Sequence, residues 1–431
     1  STIEGDNMDN SHALGKLRSD ISKIVAGVIS SVLPDTAVME KIAEILRERE
    51  LNNVILVAIG KAAWRMSSTA KSVLGDRISN GILITKYGHS EGNIENIEIY
   101  EAGHPLPDEN TLLATKRALE MTSKLSSDQT VLFLISGGGS ALFELPKDGI
   151  TLAEMQDITN QLLKSGASIV EVNTVRKHLS AVKGGRFAQH VAPAKVISLV
   201  LSDVLEDRLD SIASGPAYPD SSTSQQALEI VKRYNIRLSQ KAFEALGEET
   251  PKNIDNVESY VIGSVRTACK KAQQLAKAMG YNTLLLTTSL DCEAREVGRM
   301  FGSIAKEIKN YDKPIEKPCA IIAGGETVVR VKGNGKGGRN QELALSFALS
   351  VEGLDSVALC SFGTDGTDGP TDAAGGIVDG QTAQKIRRAG YSPEELLENN
   401  DSYTALKIAN DLLITGPTGT NVNDVIILLV V

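Results

Sequence analysis

Val54-Ile55-Leu56-Val57-Ala58-Ile59-Gly60-Lys61-Ala62-Ala63 is the stretch that decides the fold class. Six apolar residues, most of them β-branched, run without any polar alternation. Such a run suits a strand buried on both faces, as in a parallel sheet covered by helices. The run stops at Gly60, and Lys61–Leu74 then shows helical periodicity. Gly81–Thr85, Val131–Ile135 and Val196–Leu201 repeat the apolar pattern. An amphipathic helix over about Leu14–Leu33 opens the chain. In the second half Ser259–Ile262, Thr283–Thr287, Ala320–Ala323, Ser356–Cys360 and Val425–Val430 read as strands. Val265–Met279, Glu293–Ile308 and Asn340–Leu349 read as the helices between them. Strand–helix–strand order predicts an α/β protein. The expected architecture is two domains, each a mostly parallel sheet flanked by helices, with an interdomain cleft.

The chain has 431 residues, and single cores stop growing at roughly 250–300. The polar stretch from Ala245 to Asn256 is the least regular part of the sequence. It sets the expected domains at 1–250, Rossmann-like, and 251–431. A net charge of -9 with no Lys/Arg stripe argues against a nucleic-acid partner. No apolar run reaches the roughly 18–20 residues of a membrane span, so no membrane partner is expected. The four cysteines form no C-x-x-C pair and read as reduced packing residues. The polar start, Ser1 to Asn10, is unlike a signal peptide, and Met8 fits a natural start. A cytoplasmic location follows as an expectation, and a homodimer is compatible with it.

No standard nucleotide fingerprint is present. The Gly-Lys pairs at Gly15, Gly60 and Gly335 lack the Ser or Thr of a P-loop. G-x-G-x-x-G after a first strand is also missing. Glycine-rich loops stand at strand ends instead, where open α/β sheets bind ligands. Lys61 sits beside a helix start, which favours an anion, and a solvated helix-start lysine accounts for the motif equally well. Ser136-Gly137-Gly138-Gly139-Ser140 offers backbone N–H groups without Cβ obstruction and a hydroxyl at each edge. This loop fits a phosphate or a carboxylate better than a simple turn. Lys177 to Arg186, with His178 and Lys183, ends a helix at a glycine pair, where helix-dipole chemistry explains the cations equally well. Asp203, at the end of Val196–Leu201, is a candidate base, metal ligand or helix cap. Gly324-Gly325-Glu326 and Gly338-Arg339 mark two further loops, with Glu326 a candidate substrate contact. Asp365 and Asp368, within Gly363–Gly375, are candidate magnesium ligands, with turn chemistry as the alternative.

As an ordered series these loops resemble one family. GlyLysAlaAla (60–63), GlyHisProLeuProAspGluAsn (103–110), SerGlyGlyGlySerAlaLeu (136–142), SerAspVal (202–204) and AlaSerGlyPro (213–216) resemble the N-terminal half of the glycerate 2-kinases. GlyGlyGluThr (324–327), GlyGlyArgAsnGlnGlu (337–342), the aspartate-glycine loop (363–375) and ThrGlyProThrGlyThrAsnValAsnAsp (415–424) resemble that family's C-terminal MOFRL domain. The resemblance covers nearly the whole chain. It implies a kinase that uses ATP and Mg2+, or another divalent cation, to convert D-glycerate to 2-phosphoglycerate. Its matched basic residues are Lys61 and Arg339.

Phosphoryl transfer needs in-line positioning and charge neutralisation more than covalent help. Gly137–Ser140 is therefore expected to cradle an anion, either nucleotide phosphate or the glycerate carboxylate. Lys61 and Arg339 would balance charge on the transferring group, and Asp203 would take the hydroxyl proton. A hydroxypyruvate reductase using NADH or NADPH and a non-catalytic sugar-phosphate-binding module are the competing readings.

Overall fold

All six side chains of β1 (Val54–Ile59) are buried. The strand is sandwiched between β2 (Ile78–Lys86) and β4 (Thr130–Ile135), both parallel to it. The computed structural model describes residues 2–205 and 208–431. The chain divides into two units, residues 37–262 and residues 1–36 together with 263–431.

In the 37–262 unit the sheet has the order β3-β2-β1-β4-β5-β6, with β3 (Ile97–Ala102), β5 (Lys195–Leu201) and β6 (Val257–Gly263). The ladders joining β3, β2, β1, β4 and β5 are parallel. The order reverses at β1/β4, the kind of switch point where doubly wound sheets open a crevice at the strand carboxyl ends. Phe133 of β4 packs on Phe187 and Phe143 at 4.9 and 5.9 Å between ring centroids, which anchors the chain just after the glycine loop. A second, smaller core joins the helices Leu152–Lys164, Ile169–Leu179, Ser224–Arg233 and Gln240–Leu246 through Ile158, Leu162, Val175 and Leu246.

The other sheet has the order β11-β10-β9-β12-β8-β7. Its strands are β7 (Asn282–Leu290), β8 (Cys319–Gly325), β9 (Val357–Gly363), β10 (Gly375–Asp379), β11 (Leu412–Leu413) and β12 (Asp424–Val430). Only β7 and β8 run parallel, and the four remaining ladders are antiparallel. The expectation of a mostly parallel second sheet is thus corrected to a mixed one. Apolar runs report burial on both faces, whereas direction is set by the connections. Between β9 and β10 there is only the loop of residues 364–374, too short for a crossover helix, so the chain returns antiparallel.

Two segments also lie elsewhere than the 250/251 division places them. β6 extends the first sheet beside β5, although its sequence lies beyond the irregular stretch. The opening helix, Thr2–Ser31, packs in the other unit. There Arg18 donates to Asp379 at 2.9 Å and to Asp411 at 2.8 Å, and the Tyr281 hydroxyl donates to Asp20 at 2.6 Å. The contacts that hold it are between residues 261 to 393 positions apart, which no local pattern encodes. Among the described residues no single helix is long and apolar enough to cross a membrane.

Candidate functional site

The loops after β1, β4 and β5 meet at the carboxyl ends of those strands. Gly60 has φ +120°, and a Cβ there would come within 2.2 Å of Ser136 Oγ, so only glycine allows the two loops to close on each other. The Ser136 backbone N–H donates to Ile59 O at 3.0 Å, and the Lys61 N–H donates to Gly137 O at 2.8 Å. Ser136 Oγ accepts the Ala62 N–H at 3.0 Å. Ser136, expected at a ligand, is buried and acts as this latch. The helix that follows begins at Ala63, two residues later than its periodicity suggests, because Lys61 and Ala62 belong to the turn.

Lys61 and Asp203 bracket Gly137. The point where a Cβ of Gly137 would stand is 2.7 Å from Asp203 Oδ2 and 3.8 Å from Lys61 Cε. The Lys61 ammonium makes no ion pair or hydrogen bond among the described residues. His104 packs its ring over Gly138, 3.2 Å from Nε2 to the corresponding Cβ point. Burial, then the charges of Lys61 and Lys86, hold the His104 imidazole below its ordinary value. Behind the loop, Ala213 and Ser214 adopt left-handed φ of +52° and +61°, a strained pair for non-glycine residues. Ser140 Oγ shares a 3.1 Å hydrogen bond with Ser214 Oγ.

Lys183 supports the loop from within. Its ammonium donates to Ser140 O at 2.6 Å and to Ser140 Oγ at 3.0 Å, and lies 3.5 Å from Glu144. Burial pushes Lys183 down to about 8, against the opposing pull of Glu144. Lys183, Glu144 and His104 carry no assigned role in the sequence reading. Lys183 offered only a lysine beside a glycine pair, which the helix dipole accounts for equally well.

In the other unit Arg339 opens the helix Arg339–Ser350. A cation at a helix N-terminus opposes the dipole, and two acids offset it. Asp424, at the start of β12, accepts from Arg339 Nε and, at 3.0 Å, from Nη2. Glu326 lies 3.6 Å from Arg339 Nη1 and is half exposed. Burial raises Asp424 to about 6 despite the guanidinium beside it. The acids together hold Arg339 above its usual range, with burial opposing them. Asp424 pairs in register with both Gly325 and Gly363, so it stands between the ends of β8 and β9. It was missed as a site residue. The available signal was a carboxylate opening a wholly apolar strand.

The two aspartates expected at a metal differ. Asp368 is buried, and its carboxylate accepts the Asn340 and Gln341 backbone N–H groups at 3.1 and 2.9 Å and both side-chain amides. It caps the Arg339 helix from a separate loop. Gly338 makes that approach possible, since a Cβ there would lie 2.5 Å from Asp368 Oδ2. Its oxygens are committed to protein donors, which does not fit a metal ligand. Asp365 is half-buried, and among the described residues its carboxylate accepts the Thr367 N–H alone, through Oδ1 at 3.0 Å. Asp365 Oδ1 and Asp424 Oδ1 both flank Gly363, at 3.1 and 3.4 Å from its Cβ point. Among the described residues no group of three or more His, Cys, Asp or Glu is arranged to hold a metal. Mg2+ ordinarily takes one or two carboxylates together with substrate phosphates, so Asp365 alone fits that chemistry.

Residues 20–247 match the domain of unknown function DUF4147, and residues 319–424 match the MOFRL family. A D-glycerate 2-kinase of Thermotoga maritima is 61% identical over 409 residues, covering 95% of this chain and 97% of its own. The chain belongs to the glycerate 2-kinase family. A crystal structure of a glycerate kinase from Thermotoga maritima superposes with a TM-score of 0.93 at 60% identity, covering 97% of this chain and all of its own. A protein of Agrobacterium vitis named putative hydroxypyruvate reductase is 38% identical over 413 residues, 95% of this chain and 93% of its own. The family is thus one in which both names occur, and the site geometry bears on the choice.

Proposed function

We propose that this glycerate kinase family member transfers the γ-phosphoryl group of ATP to the 2-hydroxyl of D-glycerate. The observation that carries the reading is the Gly137–Ser140 loop at the ends of β1, β4 and β5, bracketed by Asp203 and by Lys61, whose ammonium has no ion pair or hydrogen bond among the described residues. Backbone N–H groups and a free ammonium suit a multiply charged oxyanion. Hydride transfer from a nicotinamide would instead call for a dinucleotide cradle after β1, and Gly60-Lys61-Ala62-Ala63 lacks its glycine pattern.

In the step itself the 2-hydroxyl oxygen attacks the γ-phosphorus as the bond to the ADP oxygen breaks. Asp203 takes the hydroxyl proton. Lys61 supplies positive charge to the oxygens of the migrating group, and in the other unit Arg339 offers forked donors that suit phosphate oxygens. Asp424 and Glu326 hold that fork in one orientation. A divalent cation, when bound, would neutralise phosphate charge, and Asp365 is the carboxylate offered to it. The chain works in the cytoplasm, where ATP is available and its four free cysteines stay reduced.

ADP release coupled to a reporter, with D-glycerate and ATP, tests the activity, and phosphorus NMR of the product tests the position. A 2-phosphoglycerate resonance is expected. A 3-phosphoglycerate product would overturn the regiochemistry, and oxidation of NADH or NADPH by hydroxypyruvate without ADP release would overturn the kinase reading.

A further inference from the structure

Beside the Gly137–Ser140 loop, within the 37–262 unit, is a cavity of about 150 Å³ walled by Pro105, Pro107, Glu144, Gln156, Asn160 and Arg176. Two of its walls continue from the site already described. Pro105 follows His104, whose ring rests on Gly138, and Glu144 closes the short segment that begins at Ser140.

The charges around the cavity do not cancel. Glu144 is 1% exposed and pairs with Lys183 at 3.5 Å. It also accepts the Ser180 hydroxyl at 2.5 Å. Lys177 is matched by Asp220 at 3.4 Å. Arg176 has neither an ion pair nor a side-chain hydrogen bond among the described residues. Its charge is near enough to Lys183 to disfavour that ammonium, second to burial and against Glu144. One positive charge is therefore left over at the cavity wall, on a half-buried guanidinium whose forked donors match a carboxylate. Holding such a cation partly out of water without a partner is unfavourable. Polar groups for hydroxyls stand beside it. The Asn160 side-chain amide is free of protein partners among the described residues, and Gln156 Nε2 donates to Pro107 O at 3.2 Å, bracing the wall. Pockets that enclose drug-sized ligands run to roughly 300–1,000 Å³. This one suits an acid of three or four carbons and is too small for a whole nucleotide.

We propose that this cavity binds the carboxylate of the hydroxy-acid acceptor, with Arg176 selecting an acid over a neutral polyol. The identity of the acid rests on the kinase reading above, whereas the anion site rests on the cavity and its unmatched charge. The Gly137–Ser140 loop is then left for the nucleotide phosphates, which resolves the choice between its two candidate anions.

The test is calorimetric titration of D-glycerate into the full chain, with and without a non-hydrolysable ATP analogue, for wild type, Arg176→Ala, Arg176→Gln and Arg176→Lys. Steady-state kinetics accompany it. In Arg176→Ala the D-glycerate affinity should fall, and its KM rise, by about tenfold to a hundredfold, as loss of a charge-assisted hydrogen bond gives. The KM for ATP should stay within about twofold and the melting temperature nearly unchanged. The preference for glycerate over glyceramide in kcat/KM should shrink by the same factor, and Arg176→Lys should restore part of it. If Arg176→Ala does not fold, Arg176→Gln carries the same comparison. Unchanged glycerate affinity in a folded variant overturns the proposal, as does failure of the wild type to bind D-glycerate. A larger effect on ATP than on glycerate overturns it too, by assigning the cavity to the nucleotide. Binding that depends on Arg176 without any ADP release supports the anion site and sinks only the kinase reading.

Discussion

Lys61 and Arg339 both stand beside glycines at strand ends, yet their surroundings differ in kind. The Lys61 side chain leaves a turn whose polar groups are satisfied by backbone and by Ser136, and its ammonium has no acidic partner among the described residues. Arg339 is clasped by a buried Asp424 and a half-exposed Glu326 at the start of a helix. A free ammonium can follow a phosphate as its charge shifts. A guanidinium held on one side presents its remaining donors in a single orientation. The first arrangement contributes little to folding, and the second ties a candidate site cation to the stability of its unit.

The strongest way to break this comparison is at Lys61. Lys61→Ala should lower kcat by at least about a hundredfold, as loss of one electrostatic stabiliser does, with the melting temperature hardly changed. Near-normal turnover would remove Lys61 from the mechanism. Arg339→Ala should lower activity and also destabilise, because it leaves the Asp424 carboxylate buried without its partner. About 2–3 kcal/mol is expected, less than the roughly 3–5 of a wholly buried pair, since the Arg339 side chain is 30% exposed. Urea unfolding of Arg339→Ala with Asp424→Asn added should recover most of that loss while activity stays low. If the single variant is as stable as wild type, the two cations are not held differently after all.

The aspartates sharpen the contrast further. Asp368→Ala removes a helix cap and should cost about 1–2 kcal/mol, with the magnesium concentration for half-maximal rate unchanged. Asp365→Ala should leave stability within about 0.5 kcal/mol while raising that magnesium requirement several-fold. A swapped pair of outcomes would return Asp368 to the metal.

A pH-dependent effect is expected at Lys183. Its value in the folded chain, about 8, lies below that of an unfolded lysine. Between about pH 8 and pH 10.5 the unfolded chain therefore holds the proton more tightly, and this group's contribution to stability rises with pH across that window. Subtracting the melting profile of Lys183→Met from that of wild type should isolate the rise. A flat difference would mean that Lys183 titrates as an ordinary lysine.

Much of the first sheet was legible because β1, β4 and β5 are largely apolar runs of six or seven residues followed at once by a glycine or serine, whereas β3, with Glu98 and Glu101, carries no such run. The strand-end positions of Lys61, Gly137–Ser140 and Asp203 were legible for the same reason, and such ends are where ligands sit in sheets of this kind. Ser136 and Asp368 were singled out as well, but as a ligand contact and a metal ligand. The structure gives them a latch and a cap, because a hydroxyl or carboxylate binds whichever donors the fold brings nearest. Arg176 carried no local signal at all. It is a helix residue among other helix residues until the 104–107 segment and the helix Leu152–Lys164 close a cavity around it.

Local composition by itself determined the α/β class, the buried strands, the family series of glycine loops and the two cations, because burial periodicity and turn chemistry act over a few residues. Strand direction in the second sheet, the edge position of β6 and the lodging of the opening helix beside Asp379 and Asp411 were decided only by tertiary structure. So were the pairing of Arg339 with Asp424 and the charge of Arg176, unmatched among the described residues. Each depends on which distant groups arrive within about 3–4 Å, where hydrogen bonds and ion pairs act.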